Sequence, residues 1–372
     1  MKHALKALLS ITVCSQALAD TWTVDVNGTA DFVTIQEAID VASDYDQIFV
    51  MPGTYTGNAD AVVNFYGKAI WLSSTQGADL TVIDGEGQRR GVLCNSGETN
   101  DTRLEGFTIT RGKEYDGGGM YLYLSSAMVI SCKFVQNTQS TLGSGVCCLG
   151  GYLILSDCEF ENNESYTMGG ALVQSGGGIQ IAYCSFLNNT SHDAGAVYLT
   201  GTDATVRNCM FESNVAEVVS GVGGAMKIRS TEGILKSSTF QENMAAYGGA
   251  IYYENATMTM RHLLIQNNEA TSLGGGVETF GTLPEISFSE ICGNSMDQIN
   301  GGWTDGGGNA IADQCTLPCS ADLNGDNSVD IVDLLEVLAA WNMTNSSSDI
   351  NTDGIVNVLD LLELIAAWGP CP

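Results

Sequence analysis

Apolar and polar positions along the chain recur with a period close to 26 residues. The pattern Phe-x-x-Asn or Ile-x-x-Asn ends at seven asparagines, which are Asn137, Asn163, Asn189, Asn214, Asn243, Asn268 and Asn294. The steps between them are 26, 26, 25, 29, 25 and 26 residues. A glycine-rich and then apolar phrase keeps the same steps and ends at Met120, Val146, Leu172, Val197, Met226, Ile251 and Val277. Two motifs that share one irregular period indicate a solenoid with one coil per period.

Each period contains short runs in which apolar and polar residues alternate, and no period carries an apolar pattern of helical length. The sequence therefore predicts an all-β fold, a parallel β-helix with strands about 4.8 Å apart. Residues at equivalent positions then form ladders. The predicted inward columns are Phe134, Phe160, Phe186, Phe211 and Phe240, and Cys132, Cys158, Cys184, Cys209 and Ser238. The asparagines should end each strand in the left-handed conformation and hydrogen-bond to the next coil.

These coils resemble the right-handed parallel β-helix of the pectin-lyase-like superfamily. The repeated Gly-Gly-Ala and Phe-x-x-Asn phrases are also similar to those of polymorphic outer-membrane proteins and adhesins. The resemblance covers most of residues 20–315 and implies that fold. Because the fold hosts many functions, the resemblance implies no single activity.

Residues 1–19 have the pattern of a secretory signal, with Lys2 and Lys6 flanking the start of a short apolar run and small residues before Asp20. That run is too short to span a membrane, and no other segment is apolar enough to do so. The sequence therefore predicts a protein without a membrane span that is secreted or associated with the cell surface.

Residues 20–105 are predicted to form an N-terminal cap and the first coils. Thr34 and Glu37 have the spacing of a capping box, and the apolar residues that follow have helical spacing. This phrase is similar to the start of pectin methylesterases and related β-helix enzymes. The expected role of the helix is to cover the open end of the first coil.

The chain changes character after Cys315, and residues 319–372 are predicted to be a separate module. Two segments, 322–333 and 349–360, carry the ligand spacing of a calcium loop, with a backbone carbonyl at position 7. Ca²⁺ takes about six to eight oxygen ligands, which this spacing supplies. The predicted ligands are Asp322, Asn324, Asp326, Ser328, Asp330 and Asp333 in the first loop, and Asp349, Asn351, Asp353, Ile355, Asn357 and Asp360 in the second.

An apolar helical segment with the same face follows each loop, and position 12 is Asp where ordinary EF-hands have Glu. The tandem arrangement resembles a type I dockerin, which implies two bound Ca²⁺ ions and a cohesin-like docking partner. The segment departs from the cellulosomal pattern because it has no Lys or Arg. Positions 10 and 11 also carry apolar pairs, at 331–332 and 358–359, where small polar residues are usual. An acidic solvated linker is the alternative.

Charge and cysteine content agree with export. The formal net charge is −29, and it becomes −31 when Lys2 and Lys6 leave with the signal, which argues against a nucleic-acid partner. Eleven of the 12 cysteines remain. A clasp between Cys319 and Cys371 and a pair between Cys292 and Cys315 are both plausible. The in-register cysteines of the coils are interpreted as buried small apolar residues.

Catalytic signatures of β-helix enzymes are not recognisable in the sequence. The letters of the polygalacturonase signature occur at 351–354, but they lie inside the second calcium loop. His192, with Asp193 beside it, and His262 have no evident partner. A general base needs a positioned partner, so an ordinary surface role is favoured for both histidines.

Basic residues concentrate in the coils between 197 and 265, which are predicted to hold the main carbohydrate-contact surface. Arg207, Lys236 and Arg261 should stack on one outward face. The candidate ligand contacts on another outward face are Tyr198, Lys227, Arg229 and Tyr252. The alternative is pairing with neighbouring acids, for example Arg229 with Glu254, at under about 1 kcal/mol each.

Two classes of function remain open from the sequence. The favoured one is a secreted modular protein whose β-helix binds a polysaccharide or a cell-surface glycan and whose C-terminal module binds calcium. The other is a polysaccharide lyase or glycoside hydrolase that acts on an acidic polysaccharide through an unrecognised active site.

Overall fold

The computed structural model describes residues 19–138, 140–315, 321–326, 328–344, 346–351 and 353–370. The chain divides into two compact units, one ending at Asp313 and one beginning at Gln314. Residues 1–18 of the predicted signal lie outside the described residues, as do both cysteines of the predicted 319–371 clasp.

The first unit is a parallel β-helix built from three long sheets. The first sheet contains Thr21–Val24, Gln47–Val50, Trp71–Ser74, Arg103–Glu105, Ala127–Ile130, Tyr152–Ser156, Gly178–Ala182, Asp203–Arg207, Glu232–Lys236, Thr257–Arg261, Glu285–Ser287 and Thr304–Asp305. The second sheet contains Ala61–Asn64, Arg90–Cys94, Met120–Tyr123, Val146–Leu149, Leu172–Ser175, Val197–Thr200, Met226–Arg229, Ile251–Glu254, Val277–Phe280 and Ile299–Asn300. The third sheet contains Gly53–Tyr55, Thr81–Asp84, Thr108–Thr110, Lys133–Val135, Glu159–Glu161, Ser185–Leu187, Met210–Glu212, Thr239–Gln241, Leu264–Gln266, Glu290–Cys292 and Ala310–Ala312.

The register of the coils follows the sequence period. Val197 pairs with Met226, and Met226 pairs with Ile251, as the repeated glycine-rich phrase predicts. The predicted parallel β-helix is thereby confirmed, and its three sheets enclose one long apolar core.

The phenylalanine ladder runs through the middle of this core. The rings of Phe134, Phe160, Phe186, Phe211 and Phe240 are fully buried. Successive ring centroids lie 4.9, 4.7, 4.8 and 4.5 Å apart, with interplanar angles of 7° or less. The coil-to-coil spacing of parallel strands brings each pair of rings into van der Waals contact.

An asparagine ladder runs beside it. The side-chain amide of Asn163 donates to Asn189 Oδ1 at 3.0 Å, and the amide of Asn189 donates to Asn214 Oδ1 at 2.9 Å. Each amide also donates to a backbone carbonyl, as Asn189 does to Phe160 O at 2.9 Å. The chain of bonds reaches Asn294, whose amide donates to Gln298 Oε1 at 2.8 Å. The predicted hydrogen bonding between coils is therefore confirmed.

The predicted left-handed conformation of these asparagines is wrong by one residue. The positive φ angles belong to the preceding positions, among them Asn162 and Asn188 at 54° and Ser213 at 54°. The ladder asparagine must point its amide inward, so the exposed residue before it makes the bend. Polar residues tolerate this conformation at low cost.

The in-register cysteines are buried and free, as predicted. Burial raises the pKa of the Cys132 thiol to about 12, which keeps it protonated and unreactive at neutral pH. Cys292 and Cys315 are each disulfide-bonded. Their pairing with each other stays a prediction.

Helix α1, Ile35–Val41, follows the predicted capping box. Thr34 Oγ1 accepts from the Glu37 N–H at 3.2 Å, and Glu37 Oε2 accepts from the Thr34 N–H at 3.0 Å. Ile35, Ala38 and Ile39 are buried in the same core as the first coils. The predicted capping helix is thereby confirmed.

A fourth set of short strands lies outside the second sheet. Ser140–Leu142 pairs with Ser165–Met168, and a separate parallel sheet contains Thr190–Ser191, Val215–Ala216, Met244–Tyr247 and Glu269–Leu273. Leu142 and Met168 pack on a small apolar cluster that includes Cys147, Val173 and Tyr198. One outward face of the second sheet is therefore covered.

The second unit contains helix α2, Ile331–Ala339, and helix α3, Val358–Ala366. A short antiparallel pair, Ser328–Val329 with Gly369–Pro370, joins its two ends. Its small core includes Val329, Val337, Val356 and Leu364.

Candidate functional site

A stripe of basic residues ends three successive strands of the first sheet. Arg207 pairs in register with Lys236, and Lys236 pairs with Arg261. The stacking predicted from the sequence is confirmed. We call these three residues the basic stripe.

The basic stripe has no ion pair within the described part of the chain. The guanidinium carbon of Arg207 lies 5.1 Å from the centroid of the Tyr183 ring, which is an aromatic and uncharged contact. Three positive charges on neighbouring strands repel one another when no anion lies between them. The alternative of neutralising ladder pairs therefore does not apply to these residues.

An open groove of about 480 Å³ adjoins the basic stripe where the chain bends from the first sheet to the third. Its walls include Tyr183, Asn208, Met210 and Ser237. The Tyr183 side chain is 55 % exposed and Met210 is 37 % exposed. The groove thus combines an aromatic ring, an apolar surface and hydrogen-bonding groups beside unpaired positive charge.

The second predicted contact face is mostly covered. Tyr198 is only 5 % exposed and Lys227 only 8 % exposed, so the expectation that these side chains face solvent is wrong. The alternation of the strand does point them away from the core, but Leu142 and Met168 of the fourth set of strands pack on the cluster that contains Tyr198. Lys227 lies against Asp193 and the rings of Tyr198 and Tyr252. The sequence period contains no signal for this additional layer.

Charge pairing dominates the second face. Lys227 Nζ lies 2.9 Å from Asp193 Oδ2, and it lies 5.5 and 5.8 Å from the ring centroids of Tyr198 and Tyr252. Arg229 Nε lies 3.5 Å from Glu254 Oε1. Burial, with help from nearby carboxylates, raises the pKa of Tyr252, so its hydroxyl stays protonated. The pairing alternative describes this face.

His192 and Asp193 do have partners, contrary to the sequence analysis. His192 Nδ1 lies 3.2 Å from Asp193 Oδ1, and His192 Nε2 lies 3.4 Å from Ser220 Oγ. Ser220 is 28 residues away and reaches the histidine from the next coil. A single sequence gives no signal for that contact.

The two predicted calcium loops share one backbone arrangement. Asp322 Oδ1 accepts from the Asp326 N–H at 3.2 Å, and Asp349 Oδ1 accepts from the Asp353 N–H at 3.2 Å. Gly354, at position 6 of the second loop, has a φ of 98°, which favours glycine. Each loop thus wraps around the carboxylate at its first position.

The carboxylate at position 12 closes each loop. Asp333 Oδ1 accepts from the Leu323 N–H at 2.7 Å, and its Oδ2 accepts from the Asp330 N–H at 2.9 Å. In the second loop, Asp360 Oδ1 accepts from the Asn351 N–H at 3.1 Å and its Oδ2 accepts from the Asn357 N–H at 2.7 Å. Burial acts to raise the pKa of Asp333, but backbone hydrogen bonds outweigh it, and the pKa is lowered. An ionised carboxylate, further oxygen donors and no nearby cation are a donor set that fits Ca²⁺.

Helices α2 and α3 expose matching apolar faces. Leu335 and Leu362 are both more than half exposed and occupy equivalent positions. The other exposed apolar residues of the two helices are Ile331, Val332, Leu338, Val358, Leu359 and Ile365. Exposed apolar faces of this kind are typical of protein interaction sites.

In the described residues, the two calcium loops included, no group of three or more His, Cys, Asp or Glu side chains lies close enough together to hold a metal ion. Among the same residues, no helix is both long and apolar enough to cross a membrane.

Comparisons with known families agree with this architecture. Residues 90–261 match the model of the right-handed β-helix region, and residues 320–368 match that of the dockerin type I domain. The chain is a right-handed parallel β-helix with a C-terminal dockerin type I domain. Dockerin type I domains bind calcium, and a dockerin implies a cohesin-type protein partner.

Three individual proteins are similar to this β-helix and dockerin chain. The metabotropic glutamate receptor-like protein P of Dictyostelium discoideum is 30% identical over an alignment of 261 residues that covers 68% of this chain. The chain spans only 16% of that protein.

The other two of these proteins are solved structures. A rhamnogalacturonan lyase has 14% identity and a TM-score of 0.37, with 94% of this chain and 99% of the lyase covered. A pectin methylesterase in complex with a hexasaccharide has 9% identity and a TM-score of 0.31, with 92% and 99% covered.

Proposed function

We propose that this protein is secreted, that its β-helix binds an acidic polysaccharide along the basic stripe, and that its dockerin binds two Ca²⁺ ions and docks to a cohesin-type partner. The observation that carries the carbohydrate part is the stripe of Arg207, Lys236 and Arg261 without ion pairs in the described chain. The net charge of −29 repels anions at long range, whereas the three positive charges on adjacent strands attract an anion locally.

The ligand should be a chain of sugars that carries uronate or sulfate groups. Neighbouring strands place the basic residues about 5 Å apart along the axis, so they match repeated anionic groups better than one compact anion. Arginine also binds carboxylate and sulfate oxygens through paired N–H groups. The exposed ring of Tyr183 lies beside the stripe, and amphipathic rings of this kind stack on sugar faces.

The second predicted face, with Tyr198, Lys227, Arg229 and Tyr252, contributes less in this proposal. Lys227 and Arg229 already have carboxylate partners. A ligand would have to displace those partners, which offsets much of the gain from a new contact.

Binding to polygalacturonate and to dextran sulfate tests the carbohydrate site. The triple substitution Arg207/Lys236/Arg261→Ala should weaken affinity for at least one of them by tenfold or more, since about 1.4 kcal/mol already corresponds to tenfold. Wild-type affinity should fall between low and moderate salt, because exposed charges are screened. Affinity can be measured by surface plasmon resonance on the full chain.

Matched variants make the result specific. Lys113 is an exposed lysine of the β-helix without an ion pair in the described residues, so Lys113→Ala should change affinity far less than Lys236→Ala. The pair Lys227/Arg229→Ala should have a small effect. Wild-type binding that is equal for neutral dextran, or a triple variant that binds like wild type, would overturn the proposal.

The dockerin part rests on the donor set of the two loops and on the exposed faces of α2 and α3. The proposed ligands are Asp322, Asn324, Asp326, Ser328, Asp330 and Asp333, and Asp349, Asn351, Asp353, Ile355, Asn357 and Asp360. The apolar pairs at 331–332 and 358–359 indicate a partner surface that is itself apolar at its centre.

A further inference from the structure

A continuous row of polar side chains crosses two successive coils beside the fourth set of strands. Lys227 Nζ lies 2.9 Å from Asp193 Oδ2, and Asp193 Oδ1 lies 3.2 Å from His192 Nδ1. His192 Nε2 lies 3.4 Å from Ser220 Oγ, which donates to Glu217 Oε2 at 2.8 Å. The row therefore contains a hydroxyl, an imidazole and a carboxylate in the order that nucleophilic catalysis uses.

An insertion in one coil places the serine. Between Asn214 and Met226 the chain has a step of 12 residues, whereas the equivalent step from Asn243 to Ile251 is 8. The additional residues form a turn that the Gly221 N–H closes onto Glu217 O at 2.7 Å.

The backbone of this turn lies in close contact with the backbone of the preceding coil. A Cβ at Gly221 would lie 2.2 Å from His192 O and 2.5 Å from Glu217 N, so only glycine fits there. The approach of the two backbones brings Ser220 to the imidazole. The backbone conformation of the turn therefore places Ser220 beside His192. The contact does not depend only on the rotamer of the exposed serine side chain.

We propose that Ser220 is the nucleophile of an ester hydrolase, with His192 as its general base. Asp193 is a positioning residue that orients His192 through Nδ1, and Lys227 holds the other oxygen of Asp193. Lys227 is almost fully buried against Tyr198 and Tyr252. Because this ammonium group is held in place, it also restricts the Asp193 carboxylate. This activity goes beyond the proposed carbohydrate binding and does not depend on it.

The reaction balances with water as the only co-reactant. Ser220 Oγ attacks the ester carbonyl carbon while its proton passes to His192 Nε2, and the carbonyl electrons form an oxyanion. The carbon–oxygen bond to the alcohol then breaks, and His192 gives its proton to the leaving alcohol. Water repeats the attack on the acyl-serine with His192 as base, which releases the carboxylic acid and restores the Ser220 hydroxyl.

Glu217 holds the serine in a resting arrangement. Its Oε2 accepts both from Ser220 Oγ and from the Ser220 N–H, each at 2.8 Å. The same N–H is the one that a serine nucleophile can offer to the oxyanion. Displacement of the Glu217 carboxylate therefore frees the hydroxyl and an oxyanion donor together.

The substrate class follows from the openness of the site. His192 and Ser220 are both exposed, and neither lines the groove beside the basic stripe. A long acyl chain bound at this serine would therefore remain in contact with solvent. The site fits a small acyl group, such as acetyl, on an alcohol that extends into solvent.

Covalent labelling and hydrolysis of p-nitrophenyl acetate by the full chain test the proposal. A fluorophosphonate probe should label Ser220, as peptide mass spectrometry would show. Ser220→Ala should remove the labelling and reduce hydrolysis by at least tenfold. His192→Ala should do the same, and added imidazole should restore part of the rate, which a structural defect would not allow. Glu217→Ala should raise both labelling and hydrolysis severalfold.

Ser213 provides the matched control. Its hydroxyl lies 3.4 Å from a carboxylate, Glu242 Oε2, and no imidazole contacts it in the described structure. Ser213→Ala should leave labelling and hydrolysis unchanged. The proposal is wrong if the probe labels Ser220 no faster than Ser213, if Ser220→Ala retains the wild-type rate, or if imidazole gives no rescue of a folded His192→Ala variant.

Discussion

Replacing Phe186 by alanine should lower the free energy of unfolding of the β-helix by about 3–5 kcal/mol, as for a large aromatic side chain deleted from a packed core. Phe186 is fully buried, and its ring stacks at 4.7 Å on Phe160 and at 4.8 Å on Phe211. The substitution therefore removes two ring contacts and opens a cavity that neighbouring strands, fixed in register, cannot close.

The measurement should show where along the β-helix stability is lost as well as the total change in the free energy of unfolding. Denaturant unfolding gives the change in free energy, and hydrogen exchange shows whether protection falls first in the coils next to Phe186, because repeats are stabilised by their nearest neighbours. Thr200→Ala, at a half-buried position on the second sheet, is the control and should change the free energy by less than about 0.5 kcal/mol. Similar losses at both positions would contradict the assignment of Phe186 to the core.

Removal of Ca²⁺ should unfold the dockerin while the β-helix keeps its strand signal. Nine Asp and Glu and no Lys or Arg lie between residues 320 and 368, so their mutual repulsion has no internal counter-charge. The small core around Val337 and Leu364 cannot offset that repulsion alone. Calorimetry and circular dichroism with and without a chelator would separate the two transitions.

Single substitutions distinguish Ca²⁺ binding by the two loops from unspecific binding to the acidic surface of the dockerin. The proposed stoichiometry is two Ca²⁺ per chain, and Asp322→Ala and Asp349→Ala should each lower the titrated number by one. Glu336→Ala removes a carboxylate from helix α2 and should leave the stoichiometry unchanged. If calorimetry detects no bound Ca²⁺, or if the chelator alters neither transition, the calcium prediction fails.

The sequence predicts those parts of the fold that repeat. The Phe and Asn columns are visible because one residue type returns at each period, and stacking of identical groups makes that choice favourable in every coil. The left-handed residue before each ladder asparagine is harder to recognise, since Gln136, Asn162 and Ser213 share only a polar side chain. The bend was therefore predicted one residue late.

The candidate sites also differ in how far the sequence predicts them. The register of the basic stripe could be predicted because it follows the period, and the dockerin type I domain could be predicted because its two loops carry a fixed spacing of polar residues. The burial of Tyr198 and Lys227 depends on short strands whose sequences do not repeat clearly. The contact between His192 and Ser220 depends on an insertion in one coil. How far that insertion extends toward the preceding coil is set by the folded backbone, so it cannot be read from the sequence.

The insertion has a consequence for how this protein can change. The four extra residues leave the Phe and Asn ladders in register, as the pairing of Phe211 with Phe240 and the hydrogen bond from the Asn214 amide to Asn243 Oδ1 show. Loop length is thus uncoupled from the stability of the stack, so each coil can vary its turn independently of the others. Loops transplanted from other solenoids in place of residues 217–220, which lie outside the strand Val215–Ala216, should be accepted without loss of the fold. This turn is therefore a natural position for acquiring new surface chemistry.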